Sequence, residues 1–165
     1  MKLLKILIIG LIIFFSIPTS TLSAQSDQNI FLVRHAEKGD DGTRDPDLNG
    51  LGDIRAKKLA MMLKSFDISK IYSTDYKRTR NTAQPLAEAL GINVELYDPR
   101  SKEILDKIDK LKGNILIVGH SNSTPTLTNA ILGEKRYEQL DEKEYSTLFI
   151  LSRVNGAYGG ATSKF

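Results

Sequence analysis

Apolar residues recur along this chain in two alternating rhythms. Short unbroken runs, such as Ile30-Phe31-Leu32-Val33 and Ile115-Leu116-Ile117-Val118, have the length and composition of strands covered on both faces. The runs predict strands at Ile30 to Arg34, Lys70 to Thr74, Ile92 to Tyr97, Asn114 to Val118 and Ser146 to Ser152. A short last strand near Ala161 to Phe165 follows the Asn155-Gly156 turn. Between the strands the spacing becomes helical. Ile54, Leu59, Met62 and Leu63 share one face of an element that starts near Leu48 and is closed by Phe66 and Ile68. A second helix runs from about Lys77 to Leu90 and stops at Gly91, with Pro85 either kinking it or splitting it in two. Ile104, Leu105, Ile108 and Leu111 mark a third helix, ended by Lys112-Gly113. The fourth opens with Ser123 as a capping hydroxyl and Pro125 at the first helical position, and Gly133 ends it. Strands alternating with helices specify one α/β domain: a three-layer arrangement with a mostly parallel central sheet flanked by helices.

One apolar run does not belong to that domain. Lys2 and Lys5 precede an apolar stretch from Ile6 to Ile17, Pro18 breaks it, and Leu22-Ser23-Ala24 leads into the polar Gln25-Ser26-Asp27. This is the pattern of a secretory signal peptide, residues 1–24, cleaved after Ala24. The stretch is shorter than the ~20 residues a membrane span needs, so no stable membrane insertion is expected after cleavage. Residues 25–165 then form the folded domain, expected in the periplasm or outside the cell. The whole chain has 23 Lys and Arg against 20 Asp and Glu, and the leader holds two of the lysines, so the remainder is close to neutral. The basic pI therefore gives no reason to expect nucleic acid as a partner. There is no cysteine, hence no disulfide framework and no lipid-attached start, and stability must come from the core.

The candidate chemistry sits at the strand ends. The chain has only two histidines, His35 and His120, and each ends an apolar run. Arg34-His35 arrives at the carboxyl end of the first strand, and Gly119-His120-Ser121-Asn122 at the end of the fourth. In an open parallel sheet those ends line one crevice. The second strand leads into Ser73-Thr74-Asp75-Tyr76-Lys77-Arg78-Thr79-Arg80, which brings two arginines to a helix start, where unpaired N–H groups also favour an anion. That strand is expected beside the first. The polar turn-rich segment Gly39 to Pro46 follows the first motif and is positioned to shape the mouth of the site. Arginine forks match phosphate oxygens and stay charged, a neutral imidazole with its other nitrogen fixed attacks phosphorus, and a carboxylic acid protonates the leaving alcohol. Taken alone, Arg78 and Arg80 also fit a solvated helix face. His35, His120 and Glu37 together also fit a metal site, although Arg34 and Arg78 beside them would repel a divalent cation.

In these blocks the chain resembles the histidine phosphatase superfamily, the phosphoglycerate mutase-like group. Arg34-His35 matches the family's opening motif, Ser73-Thr74 with Arg78-Thr79 and Thr82-Ala83 its second block, and Gly119-His120-Ser121 its third. Leu48, Gly52, Arg55 and Ala56 fit the helix after the first motif. Ala36 stands where the family most often has glycine. The resemblance covers about Asn29 to Leu151. It implies that His35 is the phosphorylated nucleophile, that Arg34, Arg78 and His120 hold the phosphate, and that no cofactor or metal is needed. It gives Arg80 no role. The acid is assigned to Asp98, with Glu37, Glu95 and Glu103 as alternatives. The implied function is an exported histidine acid phosphatase-type phosphohydrolase acting on a small phosphorylated substrate or a phosphorylated surface glycan. A phosphoglycerate mutase-type transferase and a catalytically silent phosphate-binding module are the competing readings.

Overall fold

The computed structural model describes residues 28–165. The signal-peptide reading falls on residues outside that range. Ten elements alternate along the chain: β1 (Asn29–Arg34), α1 (Gly50–Leu63), β2 (Ile68–Ser73), α2 (Lys77–Leu90), β3 (Val94–Leu96), α3 (Glu103–Lys110), β4 (Asn114–Gly119), α4 (Ser123–Leu132), β5 (Thr147–Val154) and β6 (Ala157–Lys164). They build one six-stranded sheet of order β3-β2-β4-β1-β5-β6. The first four strands in that order are parallel, and β5 and β6 run antiparallel at the other edge.

The apolar runs of β1 and β4 divide by pleat into two cores, which is why they show no polar alternation. Phe31, Val33, Leu116 and Val118 meet Leu59 and Leu63 of α1 and Leu86 of α2 on one face. Ile30, Leu32, Ile115 and Ile117 meet Ile104 and Ile108 of α3 and, more peripherally, Leu127 and Ile131 of α4 on the other. Three layers result.

Several expectations change in detail. β2 does not lie beside β1; β4 lies between them, hydrogen-bonded to both. The chain leaves β1 through α1 and skips one strand position, which β4 fills on its return, so the Arg78 and His35 segments are two strands apart across a shared crevice. Ile68 belongs to β2 rather than to the end of α1, because Asp67 takes φ 47° and turns the chain into the strand. In α1 the buried face is Gly52, Ala56, Leu59, Ala60 and Leu63, whereas Ile54 is 65% exposed. The small residues win because α1 approaches its neighbours closely. α2 continues through Pro85 without a break, and its Gly91 stop has φ 65°. α4 is capped by the Asn122 side chain, so Pro125 sits in its third position, not its first. β3 is shorter than its alternating pattern, and β6 is longer, pairing along its whole length with β5 through the Asn155-Gly156 turn, where both φ values are positive (51° and 84°).

The start of α1 is mounted on the segment after His35. Asn49 donates its backbone N–H to the Glu37 carbonyl (3.0 Å), while its side chain accepts from Gly52 N (2.9 Å) and caps the helix. Gly52 lies so near that a β-carbon there would stand 2.2 Å from the Glu37 carbonyl oxygen. Gly52→Ala should therefore cost about 1–3 kcal/mol, because neither backbone has room to move. Urea denaturation checks this, and an unchanged midpoint would mean that α1 shifts freely.

Candidate active site

The site is assembled at the carboxyl ends of β1, β2 and β4. His35 follows β1 with its backbone N–H donating to the Gly119 carbonyl (2.9 Å) at the end of β4. Its ring is 4% exposed, and Nδ1–H donates to the Ala36 carbonyl (2.7 Å). A carbonyl only accepts, so this contact places the proton on Nδ1 and leaves the Nε2 lone pair free. His120 follows β4, with its ring centroid 5.4 Å from that of His35. The Thr74 hydroxyl at the end of β2 hydrogen-bonds His120 Nε2 (3.0 Å), and Thr79 in turn meets Thr74. Gly119 lets the β4 end approach closely: a β-carbon there would lie 2.8 Å from Thr124 Oγ1 and 3.1 Å from the Tyr97 hydroxyl.

α2 is tied to the segment after His35 through Thr82. Its hydroxyl donates to the Arg78 carbonyl (2.7 Å) and accepts from Ala36 N (2.9 Å), which fixes the Arg78 turn against the residue after His35. The N-terminus of α2 has no cap of its own. Asp45, from the loop after β1, accepts from Lys77 N (2.9 Å) and reaches Arg78 Nη1 at 3.5 Å. That loop thus borders the site, as its position in the sequence suggests.

Both arginines are held from behind. Arg34 is 3% exposed, and its Nη1 donates to the carbonyls of Asp141, Glu142 and Glu144 (2.9, 3.0 and 3.2 Å). Nη2 meets the Glu142 carboxylate at 2.9 Å, and the guanidinium lies 4.2 Å from the Tyr145 ring centroid. The Arg78 guanidinium lies 4.4 Å from the Tyr76 ring, which also packs edge-on against His120. The Nε atoms of both arginines are buried without a hydrogen-bond partner. Two guanidiniums, each with a donor to spare, beside two neutral imidazoles are a donor set suited to an oxyanion.

Burial, offset in part by the Ala36 hydrogen bond and reinforced by Arg34 and Arg78, lowers the His35 pKa to about 3. Burial followed by the fields of Arg78 and Arg34 lowers that of His120 to about 4. Both rings are neutral at ordinary pH.

The structure therefore brings Arg34, His35, Arg78 and His120 together. Asp98 lies in the adjoining groove of about 520 Å³, lined by Tyr76, Arg78, Arg100, His120 and Asn122. It is half exposed, and the Arg100 backbone N–H and then its guanidinium hold the carboxyl below its usual range. The other acids lie elsewhere. Glu37 is gripped by Arg55 through Nε and Nη2 (2.6–3.0 Å), Glu95 pairs with Lys70, and Glu103 with Lys107. Arg80 turns to Asp75. With Glu37 turned to Arg55, no group of three or more His, Asp or Glu among the described residues is arranged to hold a metal.

Residues 30–104 match the sequence model of the histidine phosphatase superfamily, branch 1, and that span contains Arg34, His35 and Arg78. This match supports a place in the histidine phosphatase superfamily. The chain is 37% identical over 81 residues to the protein named "Probable phosphoglycerate mutase GpmB" of Escherichia fergusonii, a match covering 46% of this chain and 37% of that relative. Among solved structures, a mycobacterial glucosyl-3-phosphoglycerate phosphatase superposes with a TM-score of 0.66 at 16% identity, covering 84% of this chain and 98% of that one. A phosphoglycerate mutase from Bacillus anthracis superposes with a TM-score of 0.65 at 16% identity, covering 84% and 93%. At such identities the likeness is one of fold.

Sequence reasoning missed Asp45, Tyr76, Glu142 and Tyr145 as neighbours of the site. Asp45 and Tyr76 stood inside segments already suspected, but Glu142 and Tyr145 lie in the stretch 133–146, which has neither helical nor strand rhythm and carried no signal.

The neutral histidines make stability depend on pH. Their folded pKa values lie below 6.5, so between about pH 6.5 and 4 the unfolded chain binds protons that the native chain does not, and stability falls as pH drops through that window. A His35→Gln/His120→Gln double variant should lose less stability than the parent between about pH 7 and pH 5. Urea midpoints at the two pH values measure this; equal losses would show that the rings are not buried neutral.

Proposed function

We propose that this chain is an exported phosphatase that hydrolyses a phosphate monoester through a phosphohistidine intermediate. The observation that carries the reading is the His35 ring: Nδ1–H is committed to the Ala36 carbonyl, which leaves Nε2 free in a ring that packs against His120 and lies within the fields of Arg34 and Arg78. Nε2 attacks phosphorus, the ester P–O bond breaks, and its electron pair leaves on the alkoxide oxygen, which takes a proton from a carboxylic acid. Water then attacks the phosphorus, the P–N bond breaks, and the carboxylate accepts the proton of the water. Arg34, Arg78 and His120 bind the phosphoryl oxygens whose charge grows along the way.

Asp98 is the carboxyl assigned to the proton. It shares a groove with Arg78 and His120, but Arg100 favours its ionised form, which suits the water-activating step better than the first. A reaction limited by alkoxide departure therefore quickens as pH falls toward the Asp98 pKa. The hydroxyl, amide and carboxylate groups of Ser123, Asn122 and Asp98 along the groove suit a hydroxyl-rich leaving group, such as a small sugar phosphate or a phosphorylated surface glycan. A mutase is the second reading. Its support is the mutase name of the curated relatives, of which the chain spans 37% in the match given above.

Enzyme quenched during turnover should carry acid-labile, base-stable phosphate, and His35→Ala should carry none. Arg78→Ala should weaken vanadate inhibition about tenfold or more, the scale of a hydrogen bond to a charged group. Asp98→Asn should slow alkyl phosphates far more than nitrophenyl phosphate, whose leaving group needs no proton; equal losses on the two would remove Asp98 from the first step. In the native host, the mature protein should begin at Gln25 by mass spectrometry of the periplasmic or secreted fraction, and an intact Met1 to Ala24 segment would return the mutase reading to favour.

A further inference from the structure

The three carbonyls on Arg34 account for one of its outer nitrogens completely. What remains is the edge formed by Nε and Nη2, the side of a guanidinium that grips two oxygens of one anion. On that edge Nε has no partner, and Nη2 has only the Glu142 carboxylate, at 2.9 Å. The other Glu142 oxygen accepts from the Ser121 hydroxyl (2.9 Å), next to His120. Arg34 and Ser121 are almost fully buried, whereas the Glu142 side chain is 73% exposed, so the carboxylate lies on the solvent side of the fork. The loop does not depend on this contact: Leu140 N–H donates to the Ser121 carbonyl (3.0 Å), and the three carbonyls stay on Nη1 whatever the carboxylate does.

We propose that Glu142 is an internal occupant of the Arg34 fork, a specificity-determining carboxylate that the phosphoryl group of a substrate displaces and that sets how tightly the site holds phosphate. This rests on the reading of the pocket as a phosphate site. The incoming group takes over Nη2, engages the free Nε and releases Glu142 to water, where its exposure lets it turn away. Arg78 differs: its carboxylate contact, Asp45, is longer and falls on Nη1, off the Nε–Nη2 edge. Glu142 is thus the loop carboxylate that competes with the ligand at Arg34, so the affinity for free phosphate, the product, is held down and release is quick.

The experiment measures binding of orthophosphate and vanadate to the folded protein by titration calorimetry, with Glu142→Gln and Glu142→Ala beside the parent and Arg78→Ala as a reference. Removing the internal anion should tighten both ligands by about threefold or more, the scale of an exposed ion pair no longer in competition, and should sharpen product inhibition in turnover. If Glu142 instead serves to hold Arg34 in place, both variants bind more weakly; weaker or unchanged binding overturns the proposal while the parent still binds and Arg78→Ala does not. A parent that binds neither anion overturns the reading of the pocket, and the proposal with it.

Discussion

Two guanidinium groups are held close to the same small space, and most of what surrounds them offsets their charge. Bringing like charges together away from bulk water is costly unless each is met by hydrogen-bond acceptors. Arg34 receives three carbonyl oxygens and a tyrosine face, and Arg78 receives a tyrosine face and the distant Asp45 carboxylate. The two histidines add no further positive charge, since burial and those same arginines keep them neutral. The balance is incomplete at each Nε, which has no acceptor. An anion bound there would complete it beside His35, whose tautomer the Ala36 carbonyl already fixes.

The fold supplies this arrangement by position more than by any single strong contact. β1, β4 and β2 end at the same level, and short backbone links hold their ends in register: His35 N to the Gly119 carbonyl, Thr74 N to the Val118 carbonyl, Ala36 N to Thr82. α1 then presses on the Glu37 backbone where Gly52 permits it. Glu37 and Arg55 form a half-buried ion pair two residues past His35, and Arg55 also reaches the Phe165 carbonyl (2.9 Å). A residue that looks like a catalytic acid in the sequence is thus part of the frame.

Where a segment's environment is set by its neighbours in the chain, the sequence was legible. Unbroken apolar runs gave β1 and β4, and Gly91 and Gly133 marked helix ends because only an achiral residue takes the left-handed turn at low cost. Arg34, His35, Arg78 and His120 followed from where those elements end. The features that differ from the sequence pattern depend on distance in space. Whether Ile54 or Ala56 faces inward is decided by how closely α1 approaches Glu37 and α2, and β4 separates β1 from β2 by virtue of a chain path that no local pattern encodes. Glu142 and Tyr145 belong to a loop without rhythm, and nothing in their vicinity announces the arginine they meet.

The separation of those partners along the chain has a consequence for how the protein is made. The acceptors of Arg34 lie 107 to 110 residues downstream of it. During synthesis, β1 emerges early and waits, with the Arg34 cation unmatched, until the segment before β5 leaves the ribosome. Loop closure over such a span is slow and is rewarded only once the final strands pair. A nascent or truncated chain that has its first four strands and four helices would still hold an Arg34 with no acceptors behind it. The surroundings of Arg34 are therefore completed only with the last stretch of the fold, and an incompletely synthesised chain holds that guanidinium without the carbonyls that fix its place.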